Sequence, residues 1–205
     1  MEPVKTYDYF LQRLNEKYGN EDRIVCLLLL DPTNDDAVAK YIYRRYDYFH
    51  VRTGNTLDFF CPGFSSETKK KKFDVRAFVE FVQQVEELTD WRYYGGTNIL
   101  LLRYIDGQLH FDSVYDINFT RMVIDGYITD YKSFLEGFIR GFKDGIERYL
   151  HYEEAKHHIK DIWGAVSKFL PDYVERTVKC LSRAAKTRDY FAAKNFEKKT
   201  EDAYY

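Results

Sequence analysis

Seven consecutive apolar residues, Ile24 to Leu30 (IVCLLLL), stand between Arg23 and the pair Asp31-Pro32. A continuous run of that length fits a strand covered on both faces, in the middle of an α/β sheet. It is too short and too sharply bounded for a buried helix. After it comes a polar turn, Asp31 to Asp36. Thr33 or Asn34 is placed to cap the next helix, with Asp35 and Asp36 in its first turn, where negative charge is favoured. Val38, Ile42, Arg45 or Tyr46, and Phe49 trace one face of that helix, which stops near Thr53-Gly54-Asn55. Thr56 to Cys61 then reads as a second strand, closed by Pro62-Gly63. Strand, helix, strand predicts parallel pairing through a right-handed crossover.

The flanking segments extend this unit. Pro3 to Lys17 reads as a helix, with Tyr7, Phe10, Leu11, Leu14 and the following Tyr18 recurring at helical spacing. Phe73 to Leu88 is a further helix, with Asp74 as cap and Phe78, Phe81, Val82 and Val85 inward. Asn98 to Ile105 and Leu109 to Tyr115 form a hairpin across Asp106-Gly107, a pair suited to a type I′ turn. Asn118 to Ile128 fits either an edge strand or a helical turn. Helices are expected over Thr129 to Leu150, His151 to Phe169 and Tyr173 to Phe196. The fold class is therefore α/β: a small central mixed sheet with a βαβ unit plus a β-hairpin, and a helical C-terminal half. The expected division is an α/β body over 1–126, C-terminal helices over 127–197 packed on the body or a partner, and a frayed tail over 198–205.

Minus its first helix, the body resembles a thioredoxin-like fold in element order. The place of that family's redox pair reads Asp31-Pro32-Thr33-Asn34, and Arg92 to Thr97 holds none of the proline expected before the third strand. The resemblance therefore implies a topology without the redox chemistry. Arg45-x4-His50 resembles the catalytic motif of HEPN ribonucleases. That family is all-helical, whereas this pattern lies inside a βαβ unit. The stretch from Tyr48 to Phe64, YFHVRTGNTLDFFCPGF, resembles in its general look components of bacterial and phage-defence systems.

Composition excludes several classes. A net charge of −2 gives no global pull toward nucleic acid or membrane. Three cysteines, Cys26, Cys61 and Cys180, are too few and too scattered for a disulfide scaffold and suit a reducing cytoplasm. No apolar stretch approaches a membrane span, and the first residues lack the apolar core of a signal peptide.

Four constellations carry possible chemistry. Ligands of open α/β sheets bind beyond the carboxyl ends of parallel strands. Asp31 and Asp35 there are the candidate base or metal ligands, and Cys61 is a candidate nucleophile if its pKa is lowered. His151, Glu154, His158 and Asp161 fall along one helical stripe with Glu147 and are candidate ligands for a divalent metal, the one cofactor considered. Glu154-x-x-His157 resembles half of a ferritin-like di-iron motif, with no second half in the chain. Gly137, Gly141 and Gly145 recur every fourth residue, a spacing that admits close helix packing. Arg176, Lys179, Arg183, Lys186 and Lys194, with Tyr190 among them, form a basic stripe on the last helix, open to a protein partner, a second copy or nucleic acid.

No reaction is written in these patterns. Aromatic residues make up 18% of the chain, and surplus tyrosine marks contact surfaces. The reading favoured is a protein-binding or assembly module acting through its Tyr-rich surface and basic C-terminal helix, as a defence-system component would. The alternative is a small metal-dependent hydrolase or nuclease using the acidic residues after the first strand.

Overall fold

The computed structural model describes residues 1–53, 58–65, 72–126, 128, 130, 132–133, 135–136 and 193–198. The apolar run is the strand β2 (Arg23–Leu29), next to the middle of a six-stranded mixed sheet. The other strands are β1 (Glu2–Val4), β3 (Asp58–Pro62), β6 (Asn98–Ile105), β7 (Gln108–Asn118) and β8 (Ala193–Lys194), in the order β1-β3-β2-β6-β7-β8. β3 pairs parallel with both β2 and β1; β6 runs antiparallel to β2, β7 to β6, and β8 to β7. A separate two-stranded ribbon joins β4 (Phe64–Ser65) to β5 (Lys72–Phe73).

Alternation along β2 explains the continuous run. Cys26, Leu28 and Leu30 enter one apolar cluster; Val25, Leu27 and Leu29 enter the other. On the first face lie α2 (Ala37–Arg44), α3 (Tyr46–Thr53) and α5 (Phe119–Ile124), through Val38, Ile42, Tyr46, Phe49, Phe119 and Met122. On the second lie α1 (Tyr7–Tyr18) and α4 (Val75–Leu88), through Phe10, Leu14, Phe78, Phe81 and Val85. Each such buried side chain contributes about 1.5–3 kcal/mol of transfer free energy. The result is helix, sheet, helix, with the sheet wholly covered at its centre.

Several boundaries depart from the sequence reading. The first helix begins at Tyr7, capped by Thr6, whose side chain accepts from the Tyr9 N–H. Pro3 lies instead in β1, an edge strand, where a residue without an N–H is tolerated. The helix after β2 is capped by Asp36, not by Thr33 or Asn34. It breaks at Arg45, whose N–H reaches back to the Ile42 carbonyl, an i−3 bond that ends the α-helical ladder. The segment after β7 is the helix α5, which decides between strand and helical turn. The hairpin is as expected: Asp106 and Gly107 have φ of 51° and 75°, the two positive values that a type I′ turn requires.

The largest correction is at the C-terminal end. Residues 193–196, expected to close a long helix, are extended together with Glu197 and Lys198. Lys194, expected on the basic helical stripe, pairs instead with Val114 in β8, Phe196 N–H donates to the Phe111 carbonyl at 2.8 Å, and Asp90 N–H donates to the Phe196 carbonyl at 2.9 Å. The C-terminal segment thus covers the free edge of β7. No helix among the described residues is long and apolar enough to cross a membrane.

Candidate functional site

The carboxyl end of β2 opens on the acidic turn, and the turn spends its carboxylates on its own shape. Asp31 Oδ1 accepts from Thr33 N–H (2.9 Å) and from Thr33 Oγ1 (2.5 Å), while Oδ2 accepts from Asn34 Nδ2 (2.8 Å). This is the side-chain mimicry of a backbone turn for which Asp is suited. Asp35 is fully exposed and pairs with Lys40 at 2.8 Å. The Lys40 hydrogen bond and charge lower its pKa.

Asp36 behaves differently. It is buried, and its two oxygens have divided tasks. Oδ1 accepts from the Val38 N–H (2.8 Å), capping α2. Oδ2 accepts from Thr97 Oγ1 (2.7 Å) and Thr120 Oγ1 (2.6 Å). One carboxylate therefore joins the start of α2, the residue before β6 and the first turn of α5. Thr120 Oγ1 in turn accepts from the Thr97 N–H at 2.7 Å.

The loop leading into β6 forms the other wall. Tyr93 O–H donates to the Gly96 carbonyl (2.6 Å), and Asn98 Nδ2 donates to the carbonyls of Gly95 (3.0 Å) and Gly96 (3.2 Å). Burial, then the Asp31 and Asp36 carboxylates, push the Tyr93 phenol pKa upward. Tyr93 therefore stays a neutral donor. Gly96 has φ of 74°, and a Cβ there would stand 2.8 Å from Thr120 Cβ. Only glycine lets this loop approach α5 so closely. At the loop's tip Tyr94 is 88% exposed.

Cys61 does not reach this end as an open group. It is fully buried in the cluster beneath α2 and α3, and burial pushes its thiol up to about 12, with the chain's first amino group and Tyr46 pulling the other way. Cys26, also free and buried, is raised by burial and by Cys61. A thiol in this setting stays protonated at neutral pH, the opposite of an activated nucleophile. Arg45 and His50 are engaged separately: the Arg45 guanidinium lies over the Tyr41 ring at 5.0 Å, and His50 Nδ1 lies 2.6 Å from the Met1 carbonyl oxygen.

The metal candidates His151, Glu154, His158 and Asp161 lie outside the described residues. So do Gly137, Gly141 and Gly145, and so do Arg176, Lys179, Arg183, Lys186 and Tyr190. Sequence reasoning passed over a different group. His110 and Asp112 on β7 and Glu197 on the C-terminal segment bring one ligand atom each to within 4.8 Å of one another. His110-x-Asp112 has the period of a strand face and was legible as such. Glu197 was not, because its segment reads as helix.

Around β7 other polar atoms are left over from folding, on both faces of the sheet. Trp91 Nε1, Arg103 Nε and Asp116 Oδ1 are buried without a hydrogen-bond partner among the described residues. The Trp91 N–H is near enough to favour the charged form of Asp116, yet outside hydrogen-bonding geometry. Burial dominates and raises the Asp116 pKa, against Lys194 Nζ at 3.9 Å.

No family model matches this chain, and neither the curated proteins nor the solved structures include a match to it.

Proposed function

We propose that this chain is a protein-binding module whose docking surface is the end of the sheet formed by the Asp31–Asp35 turn and the Tyr93–Gly96 loop. The observation that carries the reading is Tyr94, 88% exposed at the tip of a loop braced by Tyr93, Asn98 and Thr97. An aromatic presented on a rigid loop loses little conformational freedom on binding, which is why tyrosine recurs at contact hot spots. Thr33, Asn34 and Asp35 add an exposed polar and acidic rim, suited to a basic segment of a partner or of a second copy. The local use of the Asp31 and Asp35 carboxylates supports a shaped surface over a catalytic base. The buried free thiols fit a cytoplasmic setting.

The test combines light scattering on the purified chain with affinity capture. A stoichiometric complex, homo-oligomeric or with one partner, is expected. Tyr94→Ala should weaken it about tenfold or more without changing the fold. A monomer that captures nothing, or a complex indifferent to Tyr94→Ala, would overturn the reading. Metal-dependent turnover of an ester or phosphodiester, lost in Asp31→Ala and kept in Tyr94→Ala, would favour the hydrolase instead.

A further inference from the structure

We propose that His110, Asp112 and Glu197 form a divalent transition-metal site that clamps the C-terminal segment to the edge strand β7. The geometry follows from strand register. Phe111 and Phe196 face each other across a backbone hydrogen bond of 2.8 Å, and both pack against the apolar cluster shared by α1 and α4. Side chains alternate along extended backbone, so the neighbours of these two residues turn to the opposite side. His110, Asp112 and Glu197 meet there, with all three ligand atoms within 4.8 Å. Ligands of one ion stand roughly 3–4 Å apart when each lies about 2.0–2.2 Å from the metal. Small rotations of part-exposed side chains close that gap.

The donors are also available. Neither the His110 ring nor the Glu197 carboxylate makes a hydrogen bond to a described residue. Asp112 is held by Arg103, whose Nη2 donates to Oδ1 at 2.7 Å and to Oδ2 at 2.5 Å. Each carboxylate oxygen keeps a second lone pair, and a ligand carboxylate oriented by a hydrogen-bond donor is a regular feature of metal sites. The Arg103 charge opposes the cation, while the two carboxylates offset it. One imidazole with two carboxylates selects zinc, manganese or iron(II) over calcium and magnesium. The metal would stabilise the C-terminal segment against peeling from the sheet, since Glu197 reaches the site only when residues 193–198 are paired with β7.

The test is titration of the chelator-stripped full chain with Zn2+, followed by calorimetry and by amide hydrogen exchange. One Zn2+ per chain is expected. His110→Ala and Glu197→Gln should each weaken binding by more than about tenfold. Zinc should slow exchange at the Asp90 and Phe196 amides of the unaltered chain and leave them unchanged in Glu197→Gln. The proposal is overturned if no stoichiometric zinc binds, or if both variants bind as the parent does. Loss of binding only in His151→Ala or His158→Ala would place the metal on that stripe and also overturn it. Should a variant fail to fold, the exchange result on the unaltered chain still decides.

Discussion

Two polar clusters flank this sheet, and they have been treated in opposite ways by folding. At the carboxyl end of β2, Asp36 is buried and both its oxygens are occupied, by the Val38 N–H and by the hydroxyls of Thr97 and Thr120. Around β7, Trp91 Nε1 in the cluster of α1 and α4, Arg103 Nε on β6 and Asp116 Oδ1 are buried without partners among the described residues, and on the opposite face of the edge His110 and Glu197 lie beside Asp112. The first cluster is a structural latch, because both carboxylate oxygens and both threonine hydroxyl protons are engaged within the fold. The second retains unmet bonding capacity, which in a native structure calls for a reason. Acidic density in the sequence drew attention to the first, yet chemistry depends on what remains unsatisfied after the chain has folded.

Breaking the latch should have the largest effect. Asp36→Ala removes the cap of α2, worth about 1 kcal/mol. It also strands the buried Thr97 hydroxyl and the part-buried Thr120 hydroxyl, each worth on the order of 1 kcal/mol. A loss of about 3 kcal/mol is expected from urea denaturation. Asp36→Asn keeps the capping oxygen and offers the hydroxyls an amide, so about 1 kcal/mol is expected for it. Equal losses for the two variants would mean that charge, and not connectivity, makes the latch.

The same latch shows where the sequence stops being legible. Thr33, Asn34, Asp35 and Asp36 are all residue types that cap helices, and local pattern alone does not rank them. The choice is made by Thr97 and Thr120, which reach Asp36 from 61 and 84 positions away. Strands that alternate into two cores, such as β2, and the Asp106-Gly107 hairpin are written locally and were readable. Pro3 read as a helix start and proved to be edge strand, because its partner β3 lies far along the chain. Residues 193–198 contain alanine and lysine, good helix formers, yet pairing with β7 overrides that propensity. Glu197 was hidden for this reason, and with it the only grouping of three potential metal ligands among the described residues.

A smaller loss is expected at the point where the binding loop meets the latch. Gly96→Ala puts a side chain at φ of 74°, a conformation that costs about 1–2 kcal/mol for an L-residue. It also pushes a Cβ to 2.8 Å from Thr120 Cβ, so Thr120 must shift from Asp36. A destabilisation of about 2 kcal/mol is expected, with weaker partner binding because Tyr94 loses its brace. Gly95→Ala has no neighbour within 4 Å to strike, though its φ of 87° is equally positive. The difference between the two variants isolates the steric contact with Thr120. No difference between them would show that the loop yields instead of transmitting the shift.

The smallest expected effect lies at the edge and has the opposite sign. Burial raises the Asp116 pKa in the folded state, with Lys194 and Trp91 offsetting only part of that. A carboxyl group whose folded pKa exceeds its unfolded value holds its proton more tightly when folded. Its stabilising contribution is complete below the unfolded value, about 3.9 for Asp, and is lost as pH rises through the folded pKa. Asp116→Asn removes this loss. At pH 7 the variant is expected to be more stable than the parent by under about 1 kcal/mol, and near pH 3 the gain should vanish. Urea midpoints at the two pH values decide it. A variant less stable than the parent at pH 7 would mean that the 3.9 Å pairing with Lys194 outweighs the cost of burying the charge. The β7 edge would then be held by an ion pair instead of merely tolerating a buried acid, and its unmet capacity would be confined to Trp91, Arg103 and the His110 group.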